Sequence, residues 1–114
     1  MLAIPKKSLC HNISVQAITG EDSWGTVSKS DIVQIEFVRI EPSDKIKISK
    51  EGRQITLSAL LFYDSVNSKP KDYVFSTEDI VTWNDSRYKI ASIEPIYGIN
   101  KLHHLEIGLV AFYG

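Results

Sequence analysis

Apolar and polar residues alternate with period two along most of this chain, and helical periodicity is hard to find in it. Residues 12–19 put Ile13, Val15 and Ala17 on one face and stop at Gly20-Glu21-Asp22. After a loop through Trp24 and Gly25, residues 31–40 place Val33, Ile35 and Phe37 one way and Ile32, Gln34, Glu36 and Val38 the other. Residues 45–49 interleave lysine with isoleucine, turn at Lys50-Glu51-Gly52 and return through 54–63, which reads as a long hairpin with a polar tip. The stretch 65–71, SVNSKPK, is the strongest loop signal, because Pro70 bars a central strand and Lys69 and Lys71 keep it wet.

Pairing then resumes. Residues 73–75 read as a short strand, and 77–79 as a turn or a single helical turn capped by Ser76 or Thr77. Residues 80–83 and 87–93 flank Asn84-Asp85-Ser86, a three-residue hairpin connection whose Asn and Asp tolerate left-handed backbone. Residues 95–100 turn the chain and 103–112 close it as the last strand. The expected fold is all-β: a small single-domain barrel over residues 1–114, of six or seven short, mostly antiparallel strands with a projecting hairpin. Closure limits the exposed edges. Val33, Ile35, Phe37, Leu57, Leu61, Ile90 and Ile93 are its expected core.

Composition supports this and narrows the function. With 114 residues, 43% of them hydrophobic and 24% charged, the chain has enough apolar surface for one core and too much for disorder. Thirteen basic against fourteen acidic side chains give a net charge of −1, so any contact with nucleic acid must come from a local patch. Cys10 stands alone, which excludes an internal disulfide and suits a reducing cytoplasm. Pro5, Lys6 and Lys7 break the first apolar run, and no stretch approaches the roughly 18 apolar residues of a membrane helix. Neither secretion nor a membrane partner is expected.

The candidates for chemistry are few. His103 and His104 are neighbours in a strand and so should point to opposite faces, while His11 lies far away; no metal site or cofactor is expected. Cys10 and His11, adjacent in extended chain, should diverge as well, and no nucleotide-binding or hydrolase motif occurs, so the chain does not read as an enzyme. Trp83 and Tyr88 flank the Asn84 turn as a cross-strand pair. Trp24, in a polar loop bounded by glycine, either packs on its own domain or meets a neighbour. Residues 45–53 hold Lys45, Lys47, Lys50 and Arg53 against Glu51, net +3, which suits either a solvated edge guarded by lysines or a phosphate contact. Residues 64–85 hold five acids against Lys69 and Lys71, net −3, and two complementary patches suit contact between subunits.

The stretch DIVTWNDSRYKIASIEPIYGINKLHHLEIGLV, residues 79–110, adds a resemblance. A strand ending at Trp83, a tight turn, an alternating strand, the corner with Pro95 and Tyr97, and Leu102-His103-His104 are similar to the C-terminal signature of phage minor capsid proteins of the head-closure (stopper) or head-tail joining type. Ile4-Pro5-Lys6-Lys7 and Gly20-Glu21-Asp22-Ser23-Trp24-Gly25 resemble the family's opening strand and first loop; residues 41–53 match least. The resemblance implies a virion protein assembled in the host cytoplasm at the head-tail interface, in a homo-oligomeric ring of roughly twelve copies. Its partners would be the portal or adaptor above, a tail completion or tail tube protein below, and the double-stranded genome in the channel. Lys45, Lys47, Lys50, Gly52 and Arg53 would face that channel; Asp22, Trp24, Lys69 and Lys71 would contact subunits or partners. The alternatives are the tail-side completion protein of the same joint and a small-barrel nucleic-acid-binding module.

Overall fold

Among the described residues ten strands follow one another: β1 (His11–Gln16), β2 (Ile18–Glu21), β3 (Val27–Lys29), β4 (Val33–Pro42), β5 (Ile46–Ile48), β6 (Gln54–Thr56), β7 (Ala59–Asp64), β8 (Ile80–Trp83), β9 (Ser86–Tyr97) and β10 (Leu102–Ala111). They are seen in a computed structural model that describes residues 4–21, 27–29, 32–48 and 51–112, with the backbone alone for 18–21 and 27–29. Six strands close a barrel in the order β1-β4-β7-β10-β9-β8, every pair antiparallel, with β8 returning to β1 through Ser14↔Thr82 and Gln16↔Ile80. The expected all-β barrel is what forms. Two ribbons lie outside it, β2-β3 between β1 and β4, and β5-β6 between β4 and β7. Among the described residues the only helical piece is a 3-10 turn at Lys6–Ser8.

Period-two placement fills the interior. Ile13 and Val15 of β1, Ile35, Val38 and Ile40 of β4, Ala59, Leu61 and Tyr63 of β7, Val81, Ile90, Ile107 and Leu109 pack as one cluster. Of the expected core, Ile35, Leu57, Leu61 and Ile90 are buried, and Val33 and Ile93 pack against the cluster half-buried. Phe37 is different. It has a φ of +57°, and the β1-β4 register slips there, from Ile13↔Ile35 to His11↔Val38. The bulge moves the inward face from odd to even positions, so Val38 and Ile40 go in and Phe37 comes out under the Lys6 ammonium, 4.2 Å from its ring centre. Leu57 fills a separate niche over β10, where a Cβ on Gly108 would lie 2.8 Å from Leu57 Cδ1.

Several boundaries differ from the sequence expectation. The return of the long hairpin is two strands, β6 and β7, with Leu57 as the buried hinge between them. The β8-β9 connection has two residues, not three: Asn84 (φ +50°) and Asp85 (φ +65°) make the mirror-image turn that suits strand twist, and Ser86 already pairs with Trp83. Tyr88 lies opposite Val81, while Trp83 packs edge-on to the His11 ring at 4.9 Å. Residues 73–75 are extended but join no sheet; Phe75 is buried against Tyr63 and Tyr73, and Val74 points out. Pro95 lies within β9 opposite Leu105, beyond the last β8 pair at Lys89 to Ile80, so its missing N–H interrupts no ladder on that side.

One buried carboxylate organises the end of β7. Asp64 is fully buried, and its oxygens accept from the backbone N–H of Ile4 (3.0 Å), Val66 (3.0 Å) and Asn67 (2.8 Å). Its own N–H donates to Ser68 Oγ, whose hydroxyl donates to the Phe37 carbonyl, and Asn67 Nδ2 donates to the Ile4 carbonyl. The chain's first described segment is thereby sewn to the β7-β8 connection. Asp64→Ala strands three donors and should cost about 3 kcal/mol, measured by urea denaturation, with faster exchange of the Val66 and Asn67 amides. Asp64→Asn, which retains an acceptor oxygen, should cost less; equal stability of the Ala variant and the parent would contradict the assignment.

Candidate interaction surfaces

The β5-β6 ribbon carries the charged residues singled out for a channel. Ile46↔Thr56, Lys47↔Ile55 and Ile48↔Gln54 are cross-strand partners, and partners share a face. Lys47 and Ile55 therefore face the barrel, where Lys47 Nζ forms an ion pair with Glu94 of β9. The isoleucines turn to solvent, Ile46 at 57% and Ile48 at 72% exposure. Lys45, Glu51, Gly52 and Arg53 are exposed, Gly52 has a φ of +81° that favours glycine, and Lys50 lies outside the described residues. Between ribbon and barrel runs a cleft lined on one side by Lys47, Ile48, Glu51 and Ile55 and on the other by Glu78 and Glu94. Those carboxylates offset part of the +3 read from residues 45–53 alone.

The acidic patch does not survive folding as a surface. Of its five acids, Asp64 and Asp79 are buried, and Glu78 is paired with Lys89 at 3.3 Å. Asp79 accepts from the Ser76 N–H at 3.0 Å and shapes the turn into β8. Lys69 and Lys71 are exposed on the β7-β8 connection. That connection is held by backbone bonds in both directions between Lys69 and Glu36, 2.8 and 3.0 Å, by a cis Lys69-Pro70 bond, and by the Tyr63 hydroxyl donating to the Pro70 carbonyl. Burial raises the Tyr63 pKa above the usual phenol value, so the hydroxyl stays a donor. Asp22 and Trp24 lie outside the described residues.

The histidines correct the alternation argument. A register shift between Leu102 and His104 leaves His103 as the extra residue of a bulge, and the two rings meet with Nδ1 to Nδ1 at 2.6 Å instead of diverging. One nitrogen must donate and the other accept, while His104 Nε2 lies 3.5 Å from Glu106. No group of three or more His, Cys, Asp or Glu side chains is placed for a metal ion among the described residues. Cys10 Sγ and His11 Nε2 also approach, to 3.6 Å. Because His11 Nδ1 accepts from the Ile40 N–H at 3.0 Å, the proton of the neutral ring sits on Nε2, which cannot then take one from the thiol.

Folding also brings together lysines that are distant in sequence. Lys6 and Lys7 follow Ile4, which is bonded to Asp64 and Asn67 at the start of the connection that carries Lys69 and Lys71; Lys101, on the β9-β10 turn, lines a concavity with Ser65 and Val66. All five are exposed. No single stretch of sequence signals this cluster, since three separate segments supply it.

The Minor capsid protein family matches residues 5–109, and the chain belongs to that family. It is a phage structural protein whose place is the virion. No curated protein and no solved structure matches it.

The ion pair of Lys47 with Glu94 is half-exposed and so contributes only a few tenths of a kcal/mol to about 1 kcal/mol, yet it fastens the ribbon's inner face to β9. Glu94→Gln should leave the urea midpoint nearly unchanged while speeding amide exchange across residues 46–56. Unchanged exchange there would show that Leu57 and Ile55 hold the ribbon without the charge pair.

Proposed function

We propose that this minor capsid protein is a head-closure component of the head-tail joint. It forms a ring of roughly twelve copies below the portal and adaptor, retains the packaged double-stranded DNA and presents a docking surface to the tail. The observation that carries the reading is architectural. A closed barrel, with no open edge of its own, holds a ribbon bearing Lys45, Lys47 and Arg53 outside its wall, in a chain of a capsid family.

A closed barrel is suited to a joint that bears internal pressure, because its ladder bonds are all made within the subunit and its core is packed on every side. Contacts to neighbours then fall to what lies outside the ladder, the two ribbons and the β7-β8 connection with Lys69 and Lys71, together with Asp22 and Trp24, which lie outside the described residues. The exposed apolar residues Ile32, Ile46, Ile48, Val66, Val74, Tyr97 and Ile99 are spread over several elements. Such a surface favours a monomer in free solution and a ring templated by the adaptor.

In the ring we assign the β5-β6 ribbon to the channel side. Replacing residues 45–53 by a short Gly-Ser turn removes the cations and leaves the Leu57 anchor at Gly108 in place. Packaging should proceed, and DNA should leak from tailless heads carrying the variant, measured as nuclease-sensitive genome per head. Full retention in heads shown to contain the variant would remove the ribbon from the channel.

A further inference from the structure

We infer that the lysines gathered around the β7-β8 connection form a second phosphate-contacting surface, one that takes the backbone of duplex DNA without reading its sequence. The inference rests on the head-closure reading for its biological setting, and on the following geometry for its chemistry.

Three chain segments converge there. The first is pinned by the Ile4 N–H on Asp64 and by Asn67 Nδ2 on the Ile4 carbonyl, which places Lys6 and Lys7 beside the 64–68 turn. Lys69 and Lys71 continue that turn, locked to β4 by the paired bonds with Glu36. Lys101 joins from the β9-β10 turn, where Ser65 donates to the His103 carbonyl from both its N–H (3.1 Å) and its hydroxyl (2.9 Å). These hydrogen bonds, from backbone and side chains together, hold the backbone segments that carry the five lysines on a fixed frame. A preorganised frame spares a polyanion the cost of ordering the loops that carry the charge.

The charge is unspent. None of the five lysines is in an ion pair among the described residues; Lys6 instead covers the Phe37 ring. The carboxylates nearby are Glu36, Asp72 and the buried Asp64, whose three N–H partners already solvate it. Five lysines against three acids make this region net +2, so in a chain of net −1 the remainder carries −3. That local excess of positive charge favours a polyanion at this surface.

The composition of the cluster selects the ligand. Lysine is a point charge on a flexible stem and binds phosphate without the planar fork that arginine offers to a guanine edge. Phe37 lies under Lys6 and is not free to stack a base, and the exposed Tyr97 beside the Lys101 turn is a single ring where single-strand binding uses a series of stacking platforms. The β5-β6 ribbon, whose Lys47 is paired to Glu94 and whose cleft faces Glu78, offers a weaker field by comparison.

The test is a titration of the purified full-length chain, amide-labelled for NMR, with a duplex oligonucleotide at low salt. The amides of residues 6–7, 64–72 and 101 should shift, and log K should fall with log salt with a slope of about −3.6 to −4.5, as expected for four to five phosphate contacts. The variant K6Q/K7Q/K69Q/K71Q/K101Q, altered only at exposed positions, should lose at least tenfold in affinity and most of that slope, and the five-fold Lys→Arg variant should keep both. Absence of shifts at millimolar duplex, shifts confined to residues 45–56, or affinity indifferent to the Lys→Gln changes would each overturn the inference. So would equal or tighter binding of poly-glutamate at the same amides, which would make the surface a docking site for an acidic protein. A single strand of the same length should bind more weakly; tighter binding would overturn the duplex assignment. None of these outcomes bears on where the protein sits in the particle, which the DNA-leak experiment decides separately.

Discussion

The Asp64 carboxylate, buried at the end of β7, is the constraint on which this end of the molecule depends. A buried charge is tolerated only where hydrogen bonds replace its water, and here the backbone N–H groups of Ile4, Val66 and Asn67 do so. Two of those donors belong to the tight turn after β7 and one to a segment sixty residues earlier. Satisfying one side chain therefore fixes the path of two chain segments. The exposed lysines on both are then positioned by the interior of the protein, not by their own contacts.

Much of the barrel was legible because alternation is a direct consequence of strand geometry: Ile13, Val15, Ile35, Leu61 and Ile90 occupy the interior as their spacing requires. The errors come from residues that break the alternation. Phe37, with its positive φ, and the bulge at His103 each add a residue to one strand, and beyond it every inward position changes parity. A phenylalanine in left-handed backbone carries no signature in a single sequence, unlike the Asn and Asp of the β8-β9 turn. Phe37 was therefore expected in the core and His103 and His104 on opposite faces, whereas the bulges leave the first half-buried outside the core and bring the rings of the other two together.

Charge was legible only locally. The windows 45–53 and 64–85 sum to +3 and −3, yet the first finds Glu94 across a cleft and the second loses Asp64 and Asp79 to the interior. A sum over a window assumes that neighbours in sequence share a surface, which holds for an exposed ribbon and fails for a connection that dips into the core. The lysine cluster escapes any window, because its members lie at residues 6–7, 69–71 and 101, on segments joined by backbone hydrogen bonds and by bonds from the Asp64, Ser65 and Asn67 side chains.

These two charged features differ in what holds them. The ribbon is fastened to the barrel by a half-exposed ion pair and by Leu57 at its base, contacts of which one is sensitive to salt and to any competing charge. The lysine cluster stands on bonds that are buried or part-buried and so does not yield to the same influences. A polyanion approaching the molecule thus meets one fixed cationic surface and one whose inner cation is exchangeable between Glu94 and phosphate. If the chain serves in the head-tail joint as proposed, a fixed contact alone would impede the passage of DNA during packaging and an exchangeable one alone would leak. The chain carries both on one rigid barrel, and the strength of each follows from how deeply its anchoring groups are withdrawn from water.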